Sequence, residues 1–323
     1  MASATLRVMS KADVFTNRLR KNAKHWDKWA RRQDLTCYRL FDRDLPDFPL
    51  AIDRYEEHVH LQEFATRWEA EDDEYSVWRE LCFQVVGDVL DIPQERIHFK
   101  QRQRQRGLSQ YEKSDQGGED FVVQEQGLRF WVNLDNYLDT GLFLDHRNTR
   151  RRVRDCADGK RFLNLFAYTG SFSVYAATGG ASSSVTVDMS NTYQEWTQRN
   201  FILNDINLEA HRLVRADVFQ YLTDAFWRKE QYDLIVMDPP SFSNSKKMQG
   251  VLDVQRDHVA LITGCLRLLA PGGELYFSNN RRGFKLDEAA LPGCTIKDIS
   301  RQTVPEDFSN KQIHQCWIIG AGE

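Results

Sequence analysis

The residues best suited to chemistry lie in the second half of the chain. Phe162-Leu163-Asn164-Leu165-Phe166-Ala167-Tyr168-Thr169-Gly170-Ser171-Phe172-Ser173 reads as a strand, a tight turn with one glycine between two hydroxyl residues, and a helix start. Glycine lets backbone approach a ligand closely, and a helix N-terminus offers free N–H groups. The three-glycine dinucleotide fingerprint is absent, which weighs against a nicotinamide cofactor. Eighteen residues beyond Gly170 a second strand ends at Asp188, followed by Met189 and Ser190. A carboxylate there is placed to accept from both hydroxyls of an adenosine ribose. A third strand leads to Asp217-Val218, whose carboxylate could accept from an adenine amino group. Either acid alone reads equally well as a helix N-cap. Both together, at consecutive strand ends after that turn, point to an adenosine site.

A fourth strand delivers Asp238-Pro239-Pro240-Ser241-Phe242. Two prolines fix an extended ledge whose carbonyls face the crevice at the strand ends, and Phe242 is available to stack on a base. S-adenosylmethionine-dependent methyltransferases that act on ring or exocyclic nitrogens hold the target base on such a ledge; a plain Pro-Pro turn is the alternative. After the fifth strand comes Ser278-Asn279-Asn280, where Asn279 is the candidate to hydrogen-bond the base. Which of Asn279 and Asn280 faces inward stays open.

The elements that must position these residues alternate. Short apolar runs at 161–166, 184–187, 211–215, 233–237 and 274–278 are separated by helical stretches, the pattern of a doubly wound, mostly parallel sheet. Two late strands, 295–299 and 315–320, are spaced for an antiparallel hairpin. Ahead of the sheet the pattern differs. Phe15, Leu19, Asn22, Trp26 and Trp29 recur at helical spacing within a helix expected over 12–32. Strand-like runs follow at 37–41 and 51–64 around an Asp44-Leu45-Pro46-Asp47 turn. The acidic run 69–74 leads into a helix striped with Trp78, Leu81, Cys82, Val85, Val86 and Val89, and residues 96–135 read as β-rich.

The 323 residues suit about two domains of ~150 residues. Hydrophobic residues make up 41% and charged residues 28%, which fits an ordinary globular core and excludes a disordered chain. No apolar run approaches the ~18 residues of a membrane span, and no secretory signal precedes Lys11, so a cytoplasmic location is expected. The six cysteines are widely and irregularly spaced, as separate reduced thiols would be, and no His/Cys cluster has zinc spacing. His58 and His60 share one face of a strand, and no metal is expected there or elsewhere.

Charge is uneven. Residues 1–35 carry nine Lys/Arg against three Asp, a net of +6 in a chain of net −4. Such asymmetry points to an anionic partner. Arg20 and Lys24 lie on this arm, which reads either as a packing helix with a solvated basic face or as an arm lying on nucleic acid. Lys100, Arg102, Arg104 and Arg106 alternate with glutamines, so an extended strand puts all four cations on one face. Stacked like charges favour phosphate contact over a merely solvated face.

Taken in order, Gly170, Asp188, Asp217 and Asp238-Pro239-Pro240 resemble a class I, Rossmann-like methyltransferase. The chain is similar in particular to the bacterial ribosomal RNA large-subunit methyltransferases K/L and I. The resemblance rests on Thr140-Gly141-Leu142-Phe143-Leu144-Asp145-His146-Arg147, on Phe162 to Ser173, and on Asp238 to Lys246. It extends through Asp253-Val254-Gln255-Arg256-Asp257-His258 and Phe277 to Phe284, and through Cys37-Tyr38-Arg39-Leu40 and Asp53-Arg54-Tyr55. The resemblance extends over residues 15–320 and is greatest to the C-terminal K half. The resemblance implies an α/β fold with a seven-stranded, mostly parallel sheet and a smaller N-terminal α+β RNA-contacting domain. Expected boundaries are 1–35 for the basic arm, 36–135 for the RNA-contacting domain and 136–323 for the methyltransferase domain.

The implied activity is S-adenosylmethionine-dependent formation of 7-methylguanosine in 23S rRNA, in domain V near the peptidyl-transferase centre, with S-adenosylhomocysteine as product. Asp145, His146 and Arg147 would cap the methionine end of the cofactor, with Arg147 or Arg150 facing its carboxylate. Asn164, Phe166, Ala167, Tyr168, Thr169, Gly170 and Ser171 would line it, with Asp188, Met189, Ser190, Asp217, Val218 and Asp238. Asp238, Pro239, Pro240, Phe242 and Asn279 would hold the base, and Lys246 would join the RNA contacts. The implied partner is 23S rRNA or a pre-ribosomal particle. The L half, an N2-guanine methyltransferase, is missing from this chain and would act in cis or in trans. Competing readings are 5-methylcytosine or N2-methylguanine formation, or a non-catalytic ribosome-assembly module. The first needs a cysteine nucleophile and none is expected near the crevice. Phe242 sits one place late for the aromatic of exocyclic-amine enzymes, which counts against the second, and the retained acids count against the third.

Overall fold

The computed structural model describes residues 2–64, 72–102, 117–137, 139–243 and 251–322. They divide into two compact units. The first comprises Met1–Gly127, Val132–Thr140 and Glu306–Ser309; the second comprises Leu128–Trp131, Gly141–Pro305 and Asn310–Glu323.

In the first unit, α1 (Ala2–Arg32) runs ten residues further toward the N-terminus than the apolar spacing indicates. Phe15, Leu19, Ala23 and Ala30 recur at steps of four, four and seven and are buried, so one stripe of the helix faces the core. Phe15 stacks on Phe48 with ring centroids 4.3 Å apart. The opposite face carries Arg20, Lys21, Lys24, Lys28, Arg31 and Arg32, all exposed. The sheet has the order β1 (Cys37–Asp42), β2 (Leu50–Tyr55), β3 (His58–Phe64), β4 (Ile97–Arg102). The run at 51–64 is thus two strands rather than one. They pair antiparallel from Tyr55 and His58 outward, and Glu56 turns the chain at φ 56°. A two-residue hairpin normally advertises itself with Gly or Asn, and Glu56-Glu57 gives no such signal. The helix α2 (Asp72–Leu90) packs Trp78, Cys82, Val85 and Val86 into the same core.

This core contains one buried charge cluster. Arg39 donates to both oxygens of Asp53, at 2.7 and 2.9 Å, and lies 3.3 Å from Asp42. The ring of Phe308 lies 4.2 Å beneath its guanidinium, and Asp307 accepts the Arg39 backbone N–H at 2.9 Å. In the strand expected to carry four cations, the Lys100 ammonium donates to the Tyr137 carbonyl. The Arg102 side chain, Arg104 and Arg106 lie outside the described residues. The strand β5 (Phe121–Glu125) completes this unit, bridged to Leu35 through Glu125.

The second unit opens with β6 (Leu128–Val132), whose first four residues belong to it. It continues through α3 (Arg147–Cys156), β7 (Arg161–Leu165), α4 (Ser171–Thr178), β8 (Ser183–Asp188), α5 (Asn191–Leu203), β9 (His211–Arg215) and α6 (Val218–Trp227). Then follow β10 (Tyr232–Met237), the short β11 (Phe242–Ser243) and β12 (Leu252–Asp253), α7 (Val254–Leu266), β13 (Leu269–Asn279), β14 (Cys294–Asp298), α8 (Ser300–Thr303) and β15 (Gln315–Ala321). Seven strands form one sheet in the order β14-β15-β13-β10-β7-β8-β9. Six run in one direction, five of them as parallel neighbours, and β15 inserts antiparallel between β13 and β14. Helices cover both faces, which is why Leu163, Val185, Ile235 and Leu275 are all buried in near-continuous apolar strands. The strand order reverses between β7 and β10. Open α/β sheets bind ligands outside the carboxyl ends of the strands at that point. Among the described residues no helix is long and apolar enough to cross a membrane.

Candidate cofactor and base site

The turn after β7 is held in an unusual conformation. Gly170 has φ 73°, and two bulky residues, Phe166 and Tyr168, also have positive φ at 55° and 54°. Such backbone costs of order 1–3 kcal/mol per residue and persists where the surroundings impose it. Here they do. The Tyr168 N–H donates to Asp188 at 2.9 Å. The Thr169 hydroxyl donates to the Gly141 carbonyl at 2.6 Å, and the Gly141 N–H donates to the Tyr168 hydroxyl at 2.9 Å. From α5, Asn200 donates to the Thr169 carbonyl and the Thr197 hydroxyl to the Tyr168 carbonyl, at 2.9 and 3.2 Å. A Cβ on Gly170 would sit 2.3 Å from the Thr197 methyl, so glycine is required for space as well as for φ. No motif singles out the α5 residues in the sequence. Their one signal is three polar residues, Gln194, Thr197 and Asn200, three apart on one helical face, all buried.

Asp188 follows as the last residue of β8. One oxygen accepts from Tyr168 and the other from the Ser190 N–H at 2.8 Å. Burial pushes its carboxyl up to about 6, against the lowering effect of these backbone donors. Ser190 is the helix N-cap, accepting from the Tyr193 N–H, and Met189, between Asp188 and Ser190, is half-buried. Asp217 is the N-cap of α6, accepting from the Gln220 N–H at 3.2 Å, so the capping alternative for this acid is present in the fold. Val218 is buried at the first helical position. Asn164 turns into the scaffold: it donates to the Ser173 hydroxyl at 3.0 Å, and Thr186 donates to the same oxygen at 2.7 Å. Ala167 and Phe166 lie in the turn itself, and Ser171 opens α4.

Asp238 extends from the end of β10. Its Oδ1 accepts from the Ser278 hydroxyl at 2.7 Å, and its Oδ2 lies 3.3 Å from His146 Nε2. Pro239 is buried and Pro240 half-buried, and Ser241 ties the ledge to β13 by donating to Asn280 at 2.8 Å. Phe242 is 51% exposed. Asn279 is the inward residue, 1% exposed, while Asn280 is exposed. Asn279 Oδ1 accepts from the Arg281 N–H at 3.1 Å, and its Nδ2 has no partner in the protein. Lys246 lies outside the described residues.

Asp145 and His146 form a single 3₁₀ turn before α3. Arg147 and Arg150 are fully buried, and Arg150 donates to the Phe143 carbonyl at 2.8 Å. His314, from just before β15, belongs to no motif that the sequence displays. It lies 3.0 Å from Asp145 through Nδ1 and 3.0 Å from the Thr303 hydroxyl through Nε2. Its ring stacks on His146 at 4.3 Å and 9°. The donor atoms of Asp145, His146 and His314 fall within 4.8 Å of one another. Parallel stacked rings cannot both aim in-plane lone pairs at one ion, so the cluster is better described by its hydrogen bonds. One expectation needs correction. Cys316 pairs in register with Ser278, beside Asp238, so a thiol does lie near the crevice. It is fully buried, and burial pushes it far above the ordinary thiol range, which leaves it unfit as a nucleophile.

The residues present fit a polar ligand such as S-adenosylmethionine. Among the described residues of this unit, the buried polar atoms Thr149 Oγ1, Gln194 Oε1 and Asn279 Nδ2 have no protein partner. Each costs about 1–3 kcal/mol until something pairs with it.

Comparison with known proteins agrees with this geometry. A family model of S-adenosylmethionine-dependent methyltransferases matches residues 69–314. Ribosomal RNA large subunit methyltransferase K of Neisseria meningitidis serogroup B is 57% identical over 97% of this chain and 89% of that protein. Ribosomal RNA large subunit methyltransferase K/L of Chromohalobacter salexigens is 51% identical over 95% of this chain, which spans 42% of that protein's length. Among solved structures, a candidate methyltransferase complexed with S-adenosylhomocysteine superposes with a TM-score of 0.77. It is 26% identical, and the match covers 95% of this chain and 81% of that one.

Proposed function

The chain belongs to the S-adenosylmethionine-dependent methyltransferases, in the family of ribosomal RNA large subunit methyltransferase K, and from that premise we propose that it methylates N7 of a guanine in 23S rRNA. The proposed nucleotide lies in domain V near the peptidyl-transferase centre, and the proposed setting is the cytoplasm.

S-adenosylmethionine supplies an electrophilic methyl group on a sulfonium. The rest falls to the chain. Guanine N7 has an in-plane lone pair and loses no proton on methylation, so no general base is needed. The residues have only to hold N7 in line with the methyl group, and orientation supplies much of the rate. In this reading Asp188 accepts from the ribose, the turn Phe166 to Ser171 follows the cofactor backbone, and Asp145, Arg147 and Arg150 serve its methionine end. Asp238, Pro239, Pro240 and Asn279 hold the base and Phe242 stacks on it, with the base flipped out of the RNA. Arg20 and Lys24 on the exposed face of α1, with Lys100, Arg102, Arg104, Arg106 and Lys246, meet phosphates. An N2-guanine methyltransferase half, acting in cis or in trans, is a proposed companion.

The observation that carries the nitrogen target is Cys316. The thiol beside Asp238 is wholly buried and held protonated, so the covalent activation required for 5-methylcytosine has no nucleophile there. The test is to incubate 23S rRNA from cells lacking this gene with the protein and labelled S-adenosylmethionine, then separate the nucleosides by mass spectrometry. Labelled 7-methylguanosine is the expected product. Label in N2-methylguanosine or 5-methylcytidine would refute the proposal.

A further inference from the structure

We infer that His146 is a positioning residue: as a neutral imidazole it donates from Nε2 to Asp238 and, with Ser278 on the other oxygen, fixes the carboxylate that orients the reacting groups. The inference rests on the proposed role of Asp238. Asp238 lies just beyond the last ladder residue of β10, so the sheet does not set its side-chain torsions. Two side chains from other elements approach its oxygens. Ser278 on β13 holds Oδ1 at 2.7 Å, and His146 ahead of α3 reaches Oδ2 at 3.3 Å.

His146 is itself held. It is 4% exposed, packs edge-on to Phe172 on α4 at 5.7 Å, and stacks in parallel on His314. His314 is pinned through both ring nitrogens, by Asp145 and by Thr303 on α8. Asp145 and Thr303 therefore fix the ring that fixes His146, which in turn fixes Asp238.

The tautomer follows from the surroundings. His146 Nδ1 has no partner, whereas Nε2 faces a carboxylate. A proton on Nδ1 would be a buried donor without an acceptor and would set the Nε2 lone pair against the lone pairs of Asp238. The ring therefore carries its proton on Nε2. The charged and titratable groups facing it are Asp238, Asp145, His314 and Arg150. Burial holds the imidazole below its ordinary range; Asp238 and Asp145 oppose that shift, while His314 and Arg150 reinforce it. A neutral ring leaves the negative charge of Asp238 facing a cationic methyl donor, whereas an imidazolium would cancel it.

The test uses the full chain labelled with ¹⁵N, calorimetric titration with S-adenosylhomocysteine, and methylation of 23S rRNA. Ring spectra of the wild type should show the Nε2–H tautomer at pH 7, and Asp238→Asn should move the Nε2 signal. His146→Leu, which removes the donor, should lower kcat about 10–100-fold, the loss of one hydrogen bond to a charged group. Its affinity for S-adenosylhomocysteine should stay within about threefold. His146→Gln, which keeps an N–H donor, should recover most of the rate at the same melting temperature. A merely structural role would not separate Gln from Leu. Ser278→Ala removes the other donor with little risk to folding and should slow kcat about tenfold at unchanged affinity. An Nδ1–H tautomer, equal rates for Gln and Leu, or loss of affinity matching the loss of rate would each overturn the inference. Failure of the guanine-N7 reading would look different: the wild type would label another nucleoside, and the tautomer would stand unchanged.

Discussion

Asp188 ties cofactor affinity to acidity in a way the fold makes quantitative. Its carboxyl is pushed up to about 6 by burial, against an ordinary value of 3.8. Ribose hydroxyls donate to the carboxylate, and the protonated acid offers a donor where an acceptor is needed. Affinity should therefore be full above pH 7 and fall as pH drops through 6. At pH 5 only about one molecule in ten holds the ionised form, so the affinity for S-adenosylhomocysteine should drop about tenfold, or ~1.4 kcal/mol. The ligand-free fold should respond with the opposite sign. A carboxyl raised by folding contributes stability that is present below its unfolded value and is lost as pH rises through about 6, here ~3 kcal/mol for a shift of roughly two units. Calorimetry between pH 5 and 8, on the wild type and on Asp188→Asn, isolates the effect because the ligand's own titrations cancel between them. The variant should bind at least ~100-fold more weakly at pH 7, for the loss of two hydrogen bonds to a charged acceptor, and its pH profile should be flatter by one log unit. Parallel profiles, or Asp188→Asn binding within twofold of the wild type, would refute the reasoning.

Charge reversal at Arg20 and Lys24 together should weaken binding of a 23S rRNA fragment and leave S-adenosylhomocysteine affinity unchanged. The slope of log affinity against log salt should shrink by about 0.7–0.9 for each phosphate no longer neutralised; an unaltered slope would mark α1 as a solvated face. Gly170→Ala must adopt φ 73° and meet Thr197, so chemical denaturation should show a loss of ~2 kcal/mol or more and cofactor affinity should fall with it; a loss below ~0.5 kcal/mol would contradict the turn geometry. Arg39→Met strands Asp53 and Asp42 in the first unit, and denaturant melts should show a cost of about 3–5 kcal/mol, against which a change under ~1 kcal/mol would count.

Much of the site is legible in the sequence because each legible part is a residue type forced by its place. A glycine after a strand, an acid at a strand tip and a proline pair beyond a strand each have few structural uses, and their order along the chain mirrors the order of the strands. What is hidden is hidden for physical reasons. His314 lies 169 residues from the Asp145 it pairs with, and the hairpin spacing of 295–299 and 315–320 does not say where in the sheet β15 lies. The period of two along β13 says that Asn279 and Asn280 face opposite ways, but not which faces inward, because the ladder ends at Asn279. Cys316 is hidden for the same reason: its partner across the sheet is set by the insertion of β15, a tertiary decision. Glu56 turns a hairpin without a turn residue because cross-strand pairing of β2 and β3 outweighs its modest penalty for positive φ.

The short return of Glu306–Ser309 into the first unit has a consequence for how the chain is made. Asp307 accepts the backbone N–H of Arg39, and Ser309 bonds to the Asp42 carboxylate from 267 positions away. The first unit is therefore completed only after most of the second has been made. At ordinary elongation rates, the wait between Thr140 and Ser309 is on the order of ten seconds. Through that interval the Arg39–Asp42–Asp53 cluster stands without its final partners, while the whole parallel sheet is being synthesised. A nascent chain halted before Glu306 should present the first unit in a looser, protease-sensitive form. Synthesis through Ser309 then supplies the closing partners of Arg39 and Asp42.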